Sequence, residues 1–158
     1  MMHFAGFEQR LEPVKPIIMI SVICPIYNEE KYIAKCIESI LAQDYPKDDL
    51  EVIFVDGMST DRTRGIVAEY TKTFPFIRMV DNPDRIVPPA MNIGIRLAKG
   101  EIIIRLDAHA IFPSDYFSEL TKNLIELDLR NKYSMNIIAI KQNIIVESIF
   151  FIFNQSFF

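Results

Sequence analysis

The fold is decided by residues 50–61, Leu50-Glu51-Val52-Ile53-Phe54-Val55-Asp56-Gly57-Met58-Ser59-Thr60-Asp61. An apolar run of strand length, residues 50–55, ends in a polar turn that contains two aspartates, Asp56 and Asp61. A helical pattern then begins near Thr63 and continues to Tyr70. Because the apolar run has almost no polar alternation, it is typical of a strand covered on both faces.

The same order of strand, polar turn and helix recurs along the chain. The predicted strands are residues 18–24, 50–55, 77–80 and 102–106, and the predicted helices are residues 33–41, 63–70, 90–98 and a last helix that Ser114 caps. Pro88 and Pro89 open the third helix and Gly100 closes it. The last helix is expected to turn its apolar face inward, with Phe117, Leu120, Leu124 and Leu127 on that face.

This alternation predicts an α/β protein with a mostly parallel sheet, joined by right-handed crossovers and flanked by helices. Ligands of such sheets bind outside the carboxyl ends of the strands. The polar residues expected to gather at that rim are Glu29, Asp56, Asp61, Asp84, Arg85, Asp107 and His109. The opposite turns, such as residues 99–101, look like plain connectors. We therefore expect the functional site at the rim.

Composition limits the class of protein. The chain has 158 residues, 50% hydrophobic and 24% charged, which predicts a single soluble domain with one sizeable core. Its net charge of −4 provides no basic surface for nucleic acid. Cys24 and Cys36 fall at apolar positions, which predicts buried free thiols in a reducing compartment. Residues 1–15 lack the apolar core of a signal peptide, so we expect a cytoplasmic protein.

The turn after the fourth strand, Arg105-Leu106-Asp107-Ala108-His109-Ala110, has the spacing of a metal site. In an extended backbone, residues i and i+2 point to the same side, so Asp107 and His109 can reach one cation together. A plain turn is the alternative, in which Asp107 caps backbone amides and His109 lies on the surface.

Four segments resemble one known family. They are Ser21-Val22-Ile23-Cys24-Pro25-Ile26-Tyr27-Asn28-Glu29-Glu30, Val55-Asp56-Gly57-Met58-Ser59-Thr60-Asp61-Arg62-Thr63, Ala90-Met91-Asn92-Ile93-Gly94-Ile95-Arg96-Leu97-Ala98-Lys99-Gly100-Glu101 and Leu106-Asp107-Ala108-His109. In this order they resemble the inverting glycosyltransferases of family 2, whose Rossmann-like fold is called GT-A. The third is similar to the family's Asn-x-Gly helix, and the fourth falls where the family has its Asp-x-Asp metal motif. The Arg-x-Asp-Ala-His-Ala form resembles the branch that makes bacterial exopolysaccharides of the succinoglycan type.

The resemblance implies a site for a nucleotide-diphosphate sugar, expected to be UDP-linked. By that resemblance, Pro25 and Tyr27 line the nucleoside slot, Glu29 contacts the ribose or the base, and Asp56 accepts a hydrogen bond from the base edge. Each has a structural alternative: Pro25 ends the strand, Tyr27 caps the core, and both carboxylates cap turns or helices.

Three further residues are implied in donor binding. Asn92 and Gly94 would let their helix approach the sugar-diphosphate, although Gly94 could instead relieve helix packing. Arg85 would reach a phosphate or the base, or else is a solvated loop cation. Ser59 and Asp61 are predicted to shape the loop and cap the next helix.

Asp107 and His109 would together hold a divalent cation that bridges the diphosphate oxygens. Imidazole suits Mn²⁺ better than Mg²⁺, so we expect Mn²⁺ to be favoured without excluding Mg²⁺. Inverting transfer also needs a general base, which the family places in its C-terminal half. No candidate for that base can be named from the sequence.

The predicted organisation is a lead-in over residues 1–17, a truncated GT-A-like nucleotide-sugar-binding domain over residues 18–127, and a hydrophobic tail over residues 128–158. The Ile, Phe and Asn bias of the tail looks like an interrupted or out-of-frame reading. Lys141 and Glu147 interrupt its apolar run, so the run is too short and too charged to predict a membrane span.

Two function hypotheses follow. In the first, the protein transfers a sugar to a polysaccharide or lipid-linked acceptor for cell-surface polysaccharide synthesis, with possible peripheral association at the inner membrane face. In the second, it is a donor-binding fragment that binds nucleotide and metal without turnover. A nucleotidyltransferase is a weaker alternative, because the sequence contains no glycine-rich phosphate loop.

Overall fold

The computed structural model describes residues 18–130, in which four strands alternate with helices. The elements are β1 (Ile20–Ile26), α1 (Ile33–Leu41), a short 3-10 helix (Lys47–Asp49), β2 (Leu50–Asp56), α2 (Thr63–Thr73), β3 (Ile77–Asp81), α3 (Val87–Leu97), β4 (Ile102–Arg105) and α4 (Tyr116–Arg130). Each predicted strand and helix is therefore present, with boundaries shifted by a few residues. The predicted lead-in over residues 1–17 and the predicted hydrophobic tail from residue 131 onward lie outside the described residues.

The sheet is parallel throughout its described part, with the strand order β3-β2-β1-β4. In register, Ile26 of β1 pairs with Asp56 of β2, which pairs in turn with Asp81 of β3. The carboxyl ends of these three strands are therefore level, and the turns that follow them meet at one edge. This confirms the predicted α/β, Rossmann-like architecture flanked by helices.

Two apolar layers cover the two faces of the sheet. On one face, alternate residues of β1, from Ile20 to Ile26, pack with the buried sides of α1, α2 and α4. On the other face, Ile23 packs with Ile53, Val55 and residues of α3. Cys24 and Cys36 are free and buried in the first layer, as predicted.

The helix after β3 starts earlier than predicted. Helix α3 begins at Val87, because Pro88 and Pro89 lie inside its first turn, where a missing backbone N–H removes no helical hydrogen bond. The prediction that Gly100 closes this helix is wrong. The C-cap is Ala98, and a Cβ on Gly100 would lie 2.5 Å from the Ser21 nitrogen, so this glycine allows two backbones to approach closely.

The start of α4 also differs from the prediction. No hydrogen bond from the Ser114 side chain caps the helix in the described structure. Instead, the Phe117 N–H donates to Oε1 of Gln43 at 3.0 Å, and Gln43 Nε2 donates to the Pro113 carbonyl at 2.5 Å. Gln43 is 5% exposed, so a buried amide from the end of α1 supplies the cap. Phe117 is fully buried and Leu120 and Leu124 are partly buried, as expected for the inward face.

Within residues 18–130, no helix is both long enough and apolar enough to cross a bilayer.

Candidate functional site

A pocket lies over the carboxyl ends of the strands, between the turns after β1, β2, β3 and β4 and the first turn of α3. Its lining residues are Pro25, Ile26, Tyr27, Glu29, Val55, Gly57, Asn82, Arg85, Ile86, Val87, Ala90, Arg105, Asp107, Ala108 and His109. Its volume is about 270 Å³, just below the usual range for drug-sized ligands, which suits a ligand of nucleoside size. The site is therefore at the rim that the sequence pattern indicated.

The turns after β1 and β2 are fastened to each other by polar side chains. Asn28 has a left-handed backbone (φ 54°), its N–H donates to Ser59 Oγ at 2.9 Å, and its Oδ1 accepts from the Thr60 N–H at 2.8 Å. The Glu29 N–H donates to Thr63 Oγ1 at 2.7 Å. These bonds fix the position of the pocket wall that carries Tyr27 and Glu29.

Asp61 completes this fastening. Its Oδ1 accepts from the Thr63 N–H at 2.9 Å and its Oδ2 from the Glu30 N–H at 3.2 Å. Burial opposes ionisation of this carboxyl, but the hydrogen bonds from Thr63 and Glu30 outweigh it and hold the pKa of Asp61 below its usual value. The prediction that Ser59 and Asp61 shape this loop is confirmed.

Asp56 lies behind the pocket wall and does not line the pocket. It is fully buried, and its carboxylate accepts from Ser59 Oγ at 2.5 Å and the Ser59 N–H at 3.1 Å. Arg64 forms an ion pair with Asp56 through Nη1 and with Asp81 through Nη2, the latter at 2.8 Å. Hydrogen bonds to Asp81 and Asp56 raise the pKa of Arg64. Asp56 thus has at least the turn-forming role that was its structural alternative, and its contact with the base edge stays a prediction.

Pro25, Tyr27 and Glu29 all line the pocket, and their predicted contacts with the nucleoside stay a prediction. Tyr27 is 47% exposed as a residue and lines the pocket, so it is available to a ligand and does not cap the core. A Cβ on Gly57 would lie 3.4 Å from both Tyr27 Cδ2 and Arg85 Cα. The glycine therefore lies between the tyrosine and the turn after β3, and the sequence had indicated it only as part of a motif.

The turn after β3 supplies Arg85, which lines the pocket with a left-handed backbone (φ 61°). Its N–H donates to the Asn82 carbonyl at 3.1 Å, and no ion pair to its guanidinium is found within residues 18–130. Asn82 also lines the pocket, although sequence reasoning did not select it. An asparagine directly before a proline is a common turn signal, so the sequence provided no reason to predict that Asn82 also lines the pocket.

Asp107 and His109 both line the pocket at the end of β4. The Asp107 carboxylate forms an ion pair at 3.0 Å with Arg105, another pocket residue that sequence reasoning did not select. The described residues contain no group of three or more potential metal ligands. A carboxylate and an imidazole still suit a divalent cation that keeps water and takes its other ligands from substrate phosphates, provided that Arg105 releases Asp107.

Asn92 and Gly94, the two residues implied by the Asn-x-Gly helix, lie on α3 outside the pocket lining. Asn92 is exposed. Gly94 is buried against β1, where an added Cβ would lie 2.5 Å from Ile23 Cγ2. This is the packing role that was the alternative for Gly94. Only the first turn of α3 lines the pocket, and Asn92 and Gly94 lie beyond that turn. For either residue to contact a sugar-diphosphate in the pocket, the helix would have to shift toward it.

A parallel α/β sheet with a pocket over its strand ends, at the switch between β1 and β4, places the protein in the Rossmann-like class of folds, whose ligands bind at this position. Residues 21–140 match the model of glycosyl transferase family 2, and the chain belongs to that family. It is 42% identical over 115 residues to the Methanococcus voltae dolichyl N-acetyl-alpha-D-glucosaminyl phosphate 3-beta-D-2,3-diacetamido-2,3-dideoxy-beta-D-glucuronosyltransferase. That match covers 72% of this chain and 35% of the relative.

Solved structures agree with this assignment. The crystal structure of Staphylococcus aureus TarS 1–349 superposes with a TM-score of 0.63 at 28% identity, covering 69% of this chain and 33% of that one. A mannosyltransferase from Pyrobaculum calidifontis, solved in complex with GDP-Man and Mn²⁺, superposes with a TM-score of 0.58 at 38% identity, covering 61% and 29%. The protein therefore has the GT-A type of fold, and it spans about a third of the length of these relatives.

Proposed function

We propose that this chain contains the donor-binding part of a sugar transferase, and that the described pocket binds the nucleotide of a nucleotide-diphosphate sugar, UDP-linked by preference. The observation that carries the proposal is the convergence of an exposed ring, Tyr27, a guanidinium, Arg85, and a carboxylate, Asp107, on one pocket over the strand ends. TarS has been solved in complex with UDP and with UDP-GlcNAc, which supports this choice of donor.

Each part of the donor is assigned to the residues that line the corresponding side of the pocket. Pro25 and Tyr27 would hold the nucleoside, Glu29 would accept from the ribose hydroxyls, and Arg85 would pair with a phosphate. Asp56 would act indirectly, by fixing the turn that carries Gly57, because its oxygens are engaged. We propose one domain for these functions that includes residues 18–127 and the end of helix α4 at Arg130, with the tail beyond that helix as a separate segment.

Asp107 and His109 are proposed to hold a divalent cation, Mn²⁺ rather than Mg²⁺, against the diphosphate. The cation would supply Lewis-acid neutralisation of the leaving diphosphate. Arg105 would then lose its pairing with Asp107 and could turn its charge toward the phosphates.

The acceptor is proposed to be a polysaccharide or a lipid-linked saccharide of the cell surface. Relatives named for dolichyl-linked and poly(ribitol-phosphate) substrates support this class. The succinoglycan-type branch rests on residues 105–110 alone. We place the reaction in the cytoplasm, with the protein associated peripherally with the inner membrane face.

An inverting mechanism is part of the proposal, and it requires a general base opposite the leaving group. Within residues 18–130, the carboxylates that line the pocket are Glu29 and Asp107, and both already have proposed tasks. A donor-binding chain without turnover is therefore the second candidate. General-base help is typically worth about 10²–10⁴ in rate. A radiolabelled-donor assay with crude membrane acceptors separates the two, since turnover above the Asp107→Ala background would reject the fragment hypothesis.

The proposed function is tested by calorimetric titration of UDP with and without Mn²⁺. Mn²⁺ should raise UDP affinity, Asp107→Ala should abolish the gain, and His109→Ala should reduce it. Glu69→Ala, which removes an exposed carboxylate of α2 outside the pocket, is the matched control and should leave the gain intact. UDP binding that is indifferent to Mn²⁺ in the unmodified chain would contradict the cation site.

A further inference from the structure

Three polar side chains form a row beside the pocket, where β4 ends. Arg105, Asp107 and His109 are exposed and line the pocket, whereas Leu106 and Ala108 between them are each 2% exposed and belong to the apolar core. This alternation is the period of an extended backbone, in which residues i, i+2 and i+4 share one side. A guanidinium, a carboxylate and an imidazole are therefore available to the same ligand.

The carboxylate in this row already has a cationic partner. Asp107 Oδ1 accepts from Arg105 Nη2 at 3.0 Å and from Arg105 Nε at 3.3 Å. The Arg105 and Asp107 side chains are 40% and 49% exposed, so solvent screens the ion pair and its contribution is small. A partner of higher charge can therefore replace either member of the pair.

The ion pair opposes a divalent cation at the same carboxylate, because the guanidinium offsets the charge that would attract the metal. Within residues 18–130 no group of three or more potential metal ligands is found, so Asp107 and His109 make an incomplete site on their own. A cation there depends on diphosphate oxygens and water for its other ligands. Access of the cation to Asp107 therefore depends on where Arg105 is paired.

A diphosphate is a stronger partner for this guanidinium than the exposed carboxylate is. It carries more negative charge than one carboxylate, and its oxygens match the planar fork of arginine. Once Arg105 pairs with a phosphate, Asp107 regains its full charge for the cation.

We propose that the diphosphate of the donor takes the Arg105 guanidinium from Asp107, so that nucleotide binding frees this carboxylate for the cation. The ion pair is broken once and both ligands gain from it, which makes their binding mutually favourable. This inference rests on the proposed function, because it assigns the regulation of the cation site in the same pocket. Arg105 then couples donor binding to cation binding.

The exchange has a thermodynamic signature that calorimetry can measure. In the nucleotide-free protein the cation must displace Arg105 from Asp107, whereas with bound UDP the guanidinium has already moved. Arg105→Gln should therefore raise Mn²⁺ affinity about 1.5-fold to fivefold without nucleotide, the scale of an exposed ion pair. With saturating UDP the same substitution should leave Mn²⁺ affinity unchanged.

The nucleotide side of the exchange is measured in EDTA, without a cation. Arg105→Gln should weaken UDP about tenfold, the scale of one charge-assisted hydrogen bond. Uridine, which lacks the diphosphate and is measured by displacement with UDP, should bind equally well to both chains. Equal weakening of UDP and uridine, or weakening of neither, would overturn the phosphate contact.

Arg62→Gln is the matched control, since Arg62 also pairs with a carboxylate, that of Glu30, but lies outside the pocket with its side chain 83% exposed. It should leave the affinities for UDP and Mn²⁺ unchanged.

Two results would overturn the exchange while leaving UDP and Mn²⁺ binding, and so the proposed function, intact. A lower Mn²⁺ affinity in nucleotide-free Arg105→Gln would mean that Arg105 holds Asp107 in place for the cation. An equal rise with and without UDP would mean that the guanidinium stays on Asp107. Failure of the unmodified chain to bind UDP would reject both the inference and the proposed function.

A measurement on the unmodified chain covers the case in which Arg105→Gln does not fold. By NMR in EDTA, the signal of the Arg105 Nε–H, which donates to Asp107, should shift on addition of UDP and stay in place on addition of uridine. A signal that responds equally to both ligands, or to neither, would overturn the inference.

Discussion

Replacing Gly94 by alanine should destabilise the protein by about 2 kcal/mol. An added Cβ would lie 2.5 Å from Ile23 Cγ2 and 3.0 Å from both Cγ1 and Cδ1, and Ile23 is fully buried, so its side chain cannot move aside into solvent. Overpacking of a tight core costs about 1–3 kcal/mol, and we take about 3 kcal/mol for this geometry. The gain in helix propensity from glycine to alanine offsets about 1 kcal/mol.

The chain offers a matched control in Gly65, on helix α2. A Cβ there would have no heavy atom within 4 Å, so Gly65→Ala should stabilise by about 0.5–1 kcal/mol through helix propensity alone. Urea unfolding with an unchanged m-value measures both changes. If both substitutions stabilise, the packing argument for Gly94 is refuted.

Contact and backbone effects at Gly94 can be separated by a double-mutant cycle with Ile23→Ala, which removes all three clashing atoms. The cost of Gly94→Ala should then largely disappear. Because Ala90 of α3 lines the pocket, Gly94→Ala should also weaken UDP binding, whereas Gly65→Ala should not. Weakened UDP binding without lost stability would instead support direct contact between Gly94 and the donor.

Three further substitutions have expected outcomes. Arg105→Gln should raise Mn²⁺ affinity about 1.5-fold to fivefold in calorimetry without nucleotide, because it frees Asp107 from an ion pair that is exposed enough to be worth roughly 0.2–1 kcal/mol. Arg64→Ala should lower the free energy of unfolding by about 2–3 kcal/mol in urea, since it leaves the buried Asp56 unpaired; the loss is less than for a fully buried pair because Arg64 is 37% exposed. Asp61→Asn should destabilise at pH 7, and the difference from the unmodified chain should shrink as the pH falls below about 4, because a depressed folded-state pKa contributes stability that is complete above the unfolded pKa and is lost as the pH falls through the folded one.

Arg62→Ala is a common control for the two arginine substitutions. Its side chain is 83% exposed, pairs with Glu30 at 3.3 Å and lies outside the pocket. It should change stability by less than about 1 kcal/mol and leave Mn²⁺ affinity unaltered. For Asp61→Asn, a difference that grows toward low pH would show that the sign of the linkage is wrong.

The order of strands and helices could be predicted because it depends on local signals. Continuous apolar runs marked the strands and amphipathic faces marked the helices, and the structure moved their boundaries by only a few residues. Strand β1 begins and ends two residues later than predicted, since Ile26 beyond Pro25 is still 3% exposed and paired with Asp56. The cap of α4 could not be predicted, because Gln43 is 74 residues away from Phe117 in the chain.

Pocket residues could be predicted where a position at the carboxyl ends of the strands is enough to bring a side chain to the pocket. Six implied residues line the pocket, namely Pro25, Tyr27, Glu29, Arg85, Asp107 and His109. Asp56, Asn92 and Gly94 do not, because sequence shows which turn a residue belongs to but not which way its side chain points. Arg105 and Asn82 were not predicted, because their significance depends on contacts that the sequence does not show. Arg105 forms an ion pair with Asp107, whereas Asn82 Oδ1 has no hydrogen-bond partner among residues 18–130.

The buried position of Asp56 changes how a loss of binding must be interpreted. Asp56→Ala should still weaken UDP, because Ser59 and Arg64 would lose the group that orders the turn beside Gly57. A direct contact and an indirect one both predict that loss, so affinity for UDP alone cannot distinguish them. The indirect role predicts equal weakening of UDP and CDP in Asp56→Ala, whereas a direct contact between the carboxylate and the base predicts that their ratio changes. A changed ratio in Asp56→Ala would therefore support the direct contact, with Arg64 shifting away from Asp56 on binding.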